Sequence, residues 1–231
     1  MLRQMLRGMP QTASHALSLE AFYAPQAGTY DRFRERLLQG RAELIARLPL
    51  PADAHVVELG CGTGRNVEYF GARLSGIAEF DLVDLCPALL AHARNRFAQA
   101  AQVHVIEADA AQFRPRAPVD CVYLSYALTM MPDWRATLSN AFAMLKPNGV
   151  LGVVDFYHSH ARPAAGLVRH GALTRFFWRR WFAHDGVRLN PEHLDALRAL
   201  MPQHELSECC AAVPYLPLLR VPYYVFVGRK V

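Results

Sequence analysis

Residues 56 to 64 read Val56-Val57-Glu58-Leu59-Gly60-Cys61-Gly62-Thr63-Gly64, a β-branched run that ends in a carboxylate and three glycines at alternate positions. The run predicts a buried strand that stops at Leu59 and turns at once into a helix. Glycine at alternate positions lets the backbone bend tightly and lets a ligand come within contact distance, where any Cβ would clash. A dinucleotide fingerprint needs G-x-G-x-x-G before a helix whose N-terminus holds a pyrophosphate. Here the third glycine comes one residue early, and Arg65 stands where the final small residue is expected.

The rest of the chain repeats the strand-to-helix alternation. From Ser18 to Leu48, Phe33, Leu37, Leu38, Leu44, Ile45 and Leu48 recur at helical spacing until Pro49 and Pro51 end the pattern. Strands are predicted at Val56–Leu59, Ile77–Leu85, Val103–Ile106, Val119–Leu124 and Val150–Phe156, with helices at 65–74, 88–100 and 135–145 between them. That order implies an α/β fold, a Rossmann-like doubly wound parallel sheet. Tyr223–Val227 reads as a last strand, antiparallel at the edge with residues 206 to 213.

With 231 residues, 52% of them apolar and 19% charged, the chain can build the core of one domain with additions. A single domain over 1–231 is expected, with a helical lead-in at 1–54 and a helical insertion at 157–190. No apolar run approaches the roughly 20 residues that span a bilayer. The first ten residues lack the continuous apolar segment of a signal peptide, so a cytoplasmic location is expected. The five cysteines lack C-x-x-C spacing and read as reduced thiols. The ten histidines are scattered without ligand spacing, and no metal site is expected. A net charge of +5 permits nucleic acid or an anionic membrane as partner.

Glu58-x-Gly60-x-Gly62-x-Gly64 resembles motif I of the class I S-adenosylmethionine-dependent methyltransferases, and the likeness runs over about residues 20 to 156. It implies S-adenosylmethionine as cofactor and S-adenosylhomocysteine as product, bound across the C-terminal ends of the strands. Gly60 and Gly62 then face the methionine and ribose parts, and Glu58 fixes the loop or attracts the amino group. Asp84, twenty positions beyond Gly64, can accept both ribose hydroxyls. Leu85 is placed to pack on the adenine face, Asp109 to accept from the adenine amino group, and the Ala110 amide to donate to the ring. Ser125 and Tyr126 end the fourth strand, beside the sulfonium methyl. Tyr30, followed by Asp31, resembles the tyrosine-aspartate pair that covers the methionine end in many of these enzymes.

A narrower likeness lies in four stretches, Gly60–Asn66, Ser125–Trp134, Val154–Phe156 and Tyr223–Gly228. These resemble the bacterial betaine-lipid N-methyltransferases, which convert diacylglyceryl-homoserine to diacylglyceryl-N,N,N-trimethylhomoserine. The resemblance implies a lipid acceptor, lipid biosynthesis and an aminocarboxypropyl transferase as a partner. Methylation of a soluble small molecule or a quinone-type ring, or a noncatalytic membrane-binding module that retains the cofactor fold, are the alternatives.

Independently of the family, no acidic residue occurs between Asp155 and Asp185, while Arg162, Arg169, Arg175, Arg179 and Arg180 alternate with Leu167, Leu173, Phe176, Phe177, Trp178, Trp181 and Phe182. Such a stretch suits a peripheral position on an anionic membrane surface, at the inner face of the cell membrane. An insertion helix that covers the site and buries its rings is an equal use of it. No nucleic acid is expected, because no further groove motif accompanies it. Tyr126, Asp155 and His158, at strand ends on the ligand edge, are the candidates to accept a proton or orient an amine. Tyr23, Tyr126, Tyr157, Trp178 and Tyr223 are candidate aromatic walls for a quaternary product.

Overall fold

The computed structural model describes residues 10, 12, 14–24, 37–214 and 216–231. Its strands are β1 (Ala54–Leu59), β2 (Ile77–Asp84), β3 (Val103–Glu107), β4 (Val119–Ser125), β5 (Leu145–Phe156), β6 (Gln203–Val213) and β7 (Leu216–Arg229). They form one sheet in the order β3-β2-β1-β4-β5-β7-β6. The first five are parallel, and β7 runs antiparallel to both β5 and β6. This is the Rossmann-like α/β sheet expected, with an antiparallel hairpin at one edge. The strand order reverses between β1 and β4, which puts the crevice of such a sheet above their C-terminal ends.

The helices are α1 (His15–Tyr23), α2 (Arg41–Arg47), α3 (Pro87–Arg96), α4 (Trp134–Met144), α5 (Ala172–His184) and α6 (Glu192–Leu200). Alternate strand residues feed two core layers. Val56, Phe80, Leu82, Cys121, Tyr123 and Val154 lie in one, and Val57, Leu59, Val83, Val122, Leu124 and Val153 in the other. Both faces are covered, which is why the strands read as unbroken apolar runs. Each such side chain contributes about 1.5–3 kcal/mol on burial. Pro87 opens α3 at a position where its missing N–H is no loss. Asp133 caps α4 by accepting from the Ala136 amide at 3.1 Å.

Several boundaries differ from expectation, and three of the differences have local reasons. β5 begins at Leu145 rather than Val150, because Leu145 pairs with Val119 before the register shifts. Asn148 turns to a φ of 64° inside the strand, so Lys146–Gly149 forms an irregularity there and not only a helix stop. The helix after the glycine turn is a 3-10 segment, Arg65–Gly76, broken at Gly71, where φ is 53° and ψ −129°. The insertion is helical only over α5. There Trp178 and Phe182 are buried, while Leu173, Phe176 and Trp181 are exposed.

Candidate active site

A cavity of about 250 Å³ opens over the C-terminal ends of β1, β2, β3 and β4. Gly60 and Gly62 form part of its wall, with left-handed φ values of 77° and 56° that a residue bearing a Cβ adopts only at a cost. A Cβ on Gly60 would stand 2.5 Å from that of Ala127, so the turn after β1 packs directly on the turn after β4. Gly64 serves packing, since a Cβ there would stand 2.7 Å from the Phe97 ring.

Asp84 ends β2 on the cavity wall and ties the glycine turn down. Its Oδ2 accepts from the Gly62 amide at 2.7 Å, and its Oδ1 from the Cys86 amide at 2.9 Å. A carboxylate oxygen can accept more than one hydrogen bond. Leu85, Asp109, Ala110 and Ser125 line the same cavity. The Asp109 carboxylate accepts from the Ala111 amide at 2.9 Å and so shapes its own loop. The Ser125 hydroxyl is buried and has no hydrogen-bond partner, which leaves a donor and an acceptor for a ligand. Tyr30 lies outside the described residues.

Glu58 does not reach the wall. Its fully buried carboxylate accepts from Asn66 Nδ2 at 2.6 Å and from the Tyr123 hydroxyl at 2.7 Å. Loss of water pushes its pKa up to about 7 against the pull of those two bonds. Asn66, which does line the cavity, passes the connection on, because its Oδ1 accepts from Arg41 Nη1 at 3.4 Å. Arg41 is buried on the cavity wall, donates from Nε to the Leu38 carbonyl at 3.0 Å, and leaves Nη2 without a partner. A buried guanidinium edge of this kind calls for an anion, above all a carboxylate. Arg41 was legible only as a charged residue in the middle of the apolar stripe Leu37, Leu38, Leu44, Ile45 and Leu48.

Helix α1 closes the cavity from the far side with His15, Leu19 and Tyr23. Burial lowers the His15 pKa, with Asp109 opposing the shift. Leu19 and Tyr23 pack with Cys86 and Leu89.

The three proposed catalytic side chains are not brought together. Tyr126 lines the cavity, but its hydroxyl donates to the Gln39 carbonyl at 2.6 Å, and burial raises its pKa far above the ordinary phenol. It offers lone pairs to a ligand and is no base. Asp155 is absent from the wall; its buried carboxylate accepts from the Thr129 amide and hydroxyl and from the Phe156 amide, at 3.0, 2.8 and 2.8 Å. It braces the turn at Leu128–Met130 from beneath, and desolvation raises its pKa to about 7. His158 also lies off the wall, buried, with Nδ1 against the Ser159 carbonyl at 3.1 Å. Of the aromatic wall candidates, Tyr23 and Tyr126 line the cavity.

These residues fit the expected cofactor. Gly60 and Gly62 bring bare backbone to the cavity, and Asp84, Asp109 and the buried Arg41 guanidinium line the same cavity. Among the described residues no cluster of His, Cys, Asp and Glu stands ready for a metal ion.

Comparison with known proteins gives the same picture. Residues 30–213 match the family described as "Methyltransferase domain". A trans-aconitate 2-methyltransferase of Methylobacterium radiotolerans is 37% identical over 145 residues, 63% of this chain and 54% of that protein. That of Escherichia coli is 30% identical over 129 residues, 54% of this chain and 48% of that protein. The chain spans about half the length of these curated relatives. The fold matches N-methyltransferase NodS of Bradyrhizobium japonicum, solved with S-adenosylhomocysteine, at a TM-score of 0.67 and 19% identity over 94% of this chain and 98% of that one. It also matches the phosphoethanolamine N-methyltransferase 2 of Haemonchus contortus at 0.69 and 14% identity, over 96% and 61%.

Proposed function

Because this chain belongs to the methyltransferase-domain family, we propose that it is an S-adenosylmethionine-dependent N-methyltransferase that converts the amine of diacylglyceryl-homoserine to the trimethylated betaine. Bound in the cavity, the cofactor supplies an electrophilic methyl group on a sulfonium. In this reading the Gly60 and Gly62 backbone admits its methionine and ribose parts, and Asp84 accepts from the ribose hydroxyls. Leu85, Asp109 and the Ala110 amide hold the adenine, and Arg41 takes the methionine carboxylate. Ser125 and Tyr126 would accept hydrogen bonds from the N–H groups of the primary and secondary amine and aim the lone pair, and the proton shed by each methylated ammonium would pass to water before the next transfer. Positioning and exclusion of water then supply most of the rate, and no strong base is needed once the amine is neutral. The Tyr23 and Tyr126 rings favour a methylated ammonium by cation–π contact.

The acceptor class rests on one observation, the join between the cavity wall and the insertion helix. The Tyr126 ring packs on Phe156 at 4.5 Å, and Phe156 stacks on Phe182 of α5 at 4.6 Å. The opposite face of α5 exposes Leu173, Phe176 and Trp181. A headgroup enzyme has use for such a unit, and the four stretches that resemble the betaine-lipid enzymes agree with it. A transferase that installs the aminocarboxypropyl group would then supply the substrate. Arg65 on the cavity wall and the trans-aconitate relatives favour a second reading, a small soluble carboxylic acid. Transfer of labelled methyl from S-adenosylmethionine to diacylglyceryl-homoserine in detergent micelles, run beside trans-aconitate, decides between them. Label in the lipid supports the proposal, and label in the acid alone overturns it. Failure to bind S-adenosylmethionine at all would leave a noncatalytic module.

A further inference from the structure

We propose that the outward face of α5 is a docking surface for an anionic lipid bilayer, with Leu173, Phe176 and Trp181 in the acyl boundary and Arg179 and Arg180 at the level of the phosphates. The surface deepens the lipid-acceptor reading and takes its purpose from it. At helical spacing, residues 173, 176, 177, 180, 181 and 184 share one side, and Trp178 and Phe182 the other. The latter two are buried, while the first side leaves Leu173 85%, Phe176 69% and Trp181 42% exposed. With Phe177, also exposed, four large apolar side chains on one short helix are more than scattered surface hydrophobes.

Within the insertion the charges are of one sign, with no acidic residue between Asp155 and Asp185. Arg162, Arg169, Arg179 and Arg180 are exposed, and among the described residues none has a carboxylate partner. Elsewhere on the surface Arg135 is paired with Glu192, and the half-buried Arg65 with Glu68 at 2.5 Å. A second copy of the chain is a poor occupant, since a two-fold interface here would set arginine against arginine. Nucleic acid would match the charge but leave Leu173 and Phe176 uncovered. An anionic bilayer satisfies both, with arginine stems lying along the acyl boundary and guanidinium heads at the phosphates.

The three tryptophans allow a direct test, because Trp134 and Trp178 are buried and Trp181 is exposed. The full chain is sedimented with vesicles of phosphatidylcholine alone or mixed with phosphatidylglycerol, and its fluorescence is read with brominated lipid. Partition into the anionic vesicles that weakens as salt rises, with quenching lost in Trp181→Phe, is the expected result. Arg179→Ala with Arg180→Ala should lower partition about thirty-fold, from about a factor of five per arginine. Phe176→Ser should lower it while circular dichroism and S-adenosylhomocysteine binding stay at wild-type values. Partition indifferent to salt and to these substitutions overturns the proposal, as does a dimer that the same substitutions dissociate. Methyl transfer in micelles without vesicle binding sinks the docking surface and leaves the acceptor standing; vesicle binding without transfer does the reverse.

Discussion

Glu20 of α1 reaches across to α3, where its Oε2 accepts from the Ala88 amide at 3.1 Å. The same oxygen lies 3.2 Å from Cys86 Sγ. The residue at the natural capping position of α3, Cys86, makes no side-chain cap, so a carboxylate from another helix supplies it at the positive end of the dipole. Glu20→Ala therefore removes a cap worth about 1 kcal/mol and loosens the helix that carries Leu19 and Tyr23 over the cavity. Calorimetric titration with S-adenosylhomocysteine should show affinity several-fold weaker, with faster hydrogen exchange in α1 and at the Ala88 amide of α3. Unchanged affinity would detach α1 from cofactor retention.

Asp84 bridges the glycine turn and α3 while facing the cavity. Asp84→Ala leaves the Gly62 amide unsatisfied, at a cost of about 1–3 kcal/mol, and removes the proposed ribose acceptor. Cofactor affinity should fall by a factor on the order of 100, by the worth of hydrogen bonds to a charged group. Near-normal affinity in the same titration would mean that the ribose is held elsewhere.

For Arg41, two ligands separate the proposed role from a structural one. Arg41→Met should weaken S-adenosylhomocysteine binding about 10- to 100-fold and leave 5′-methylthioadenosine, which lacks the amino-acid carboxylate, unaffected. The apo protein should hold or gain stability, because the substitution deletes a buried charge with a partnerless edge. Equal losses for the two ligands would assign Arg41 to the loop and not to the carboxylate.

Glu58 and Asp155 both carry pKa values raised to about 7 by burial. Between the ordinary carboxylate range and pH 7 the folded chain binds more protons than the unfolded one. Their contribution is therefore complete at low pH and fades as pH rises through 7. Chemical denaturation at pH 6.5 and pH 8 should show lower stability at the higher pH, by about 0.8 kcal/mol for each group. Glu58→Gln and Asp155→Asn should each flatten that slope. His193, pushed down to about 4, acts in the opposite sense and mostly below this window. A slope that neither variant changes would place the titration on other groups.

What could be read before the structure was local in sequence. The glycine turn, Asp84 and Asp109 follow directly on strands, where the C-terminal end of a parallel strand is by topology the ligand edge. Asp155 and His158 occupy the same kind of position and still miss the cavity. The direction of a side chain just past a strand depends on what folds over it, here the turn at Leu128–Met130 that Asp155 braces. Arg41 and Glu20 were missed because their partners are 25 and 68 residues away in the chain, and Asn66, read only as part of the Gly60–Asn66 stretch, meets Glu58 from 8 residues on. The dual use of α5 was legible as composition, but which rings turn inward needed the packing on Phe156.

The exposed arc of α5 carries a kinetic consequence. A chain held at a surface by Phe176 and Trp181 meets its acceptor in two dimensions, so its rate should follow the mole fraction of acceptor in the layer and not the bulk concentration. Adding inert lipid would then slow turnover by surface dilution while every component in solution stayed constant. Under the proposed docking and lipid acceptor, the relevant substrate concentration is a property of the film.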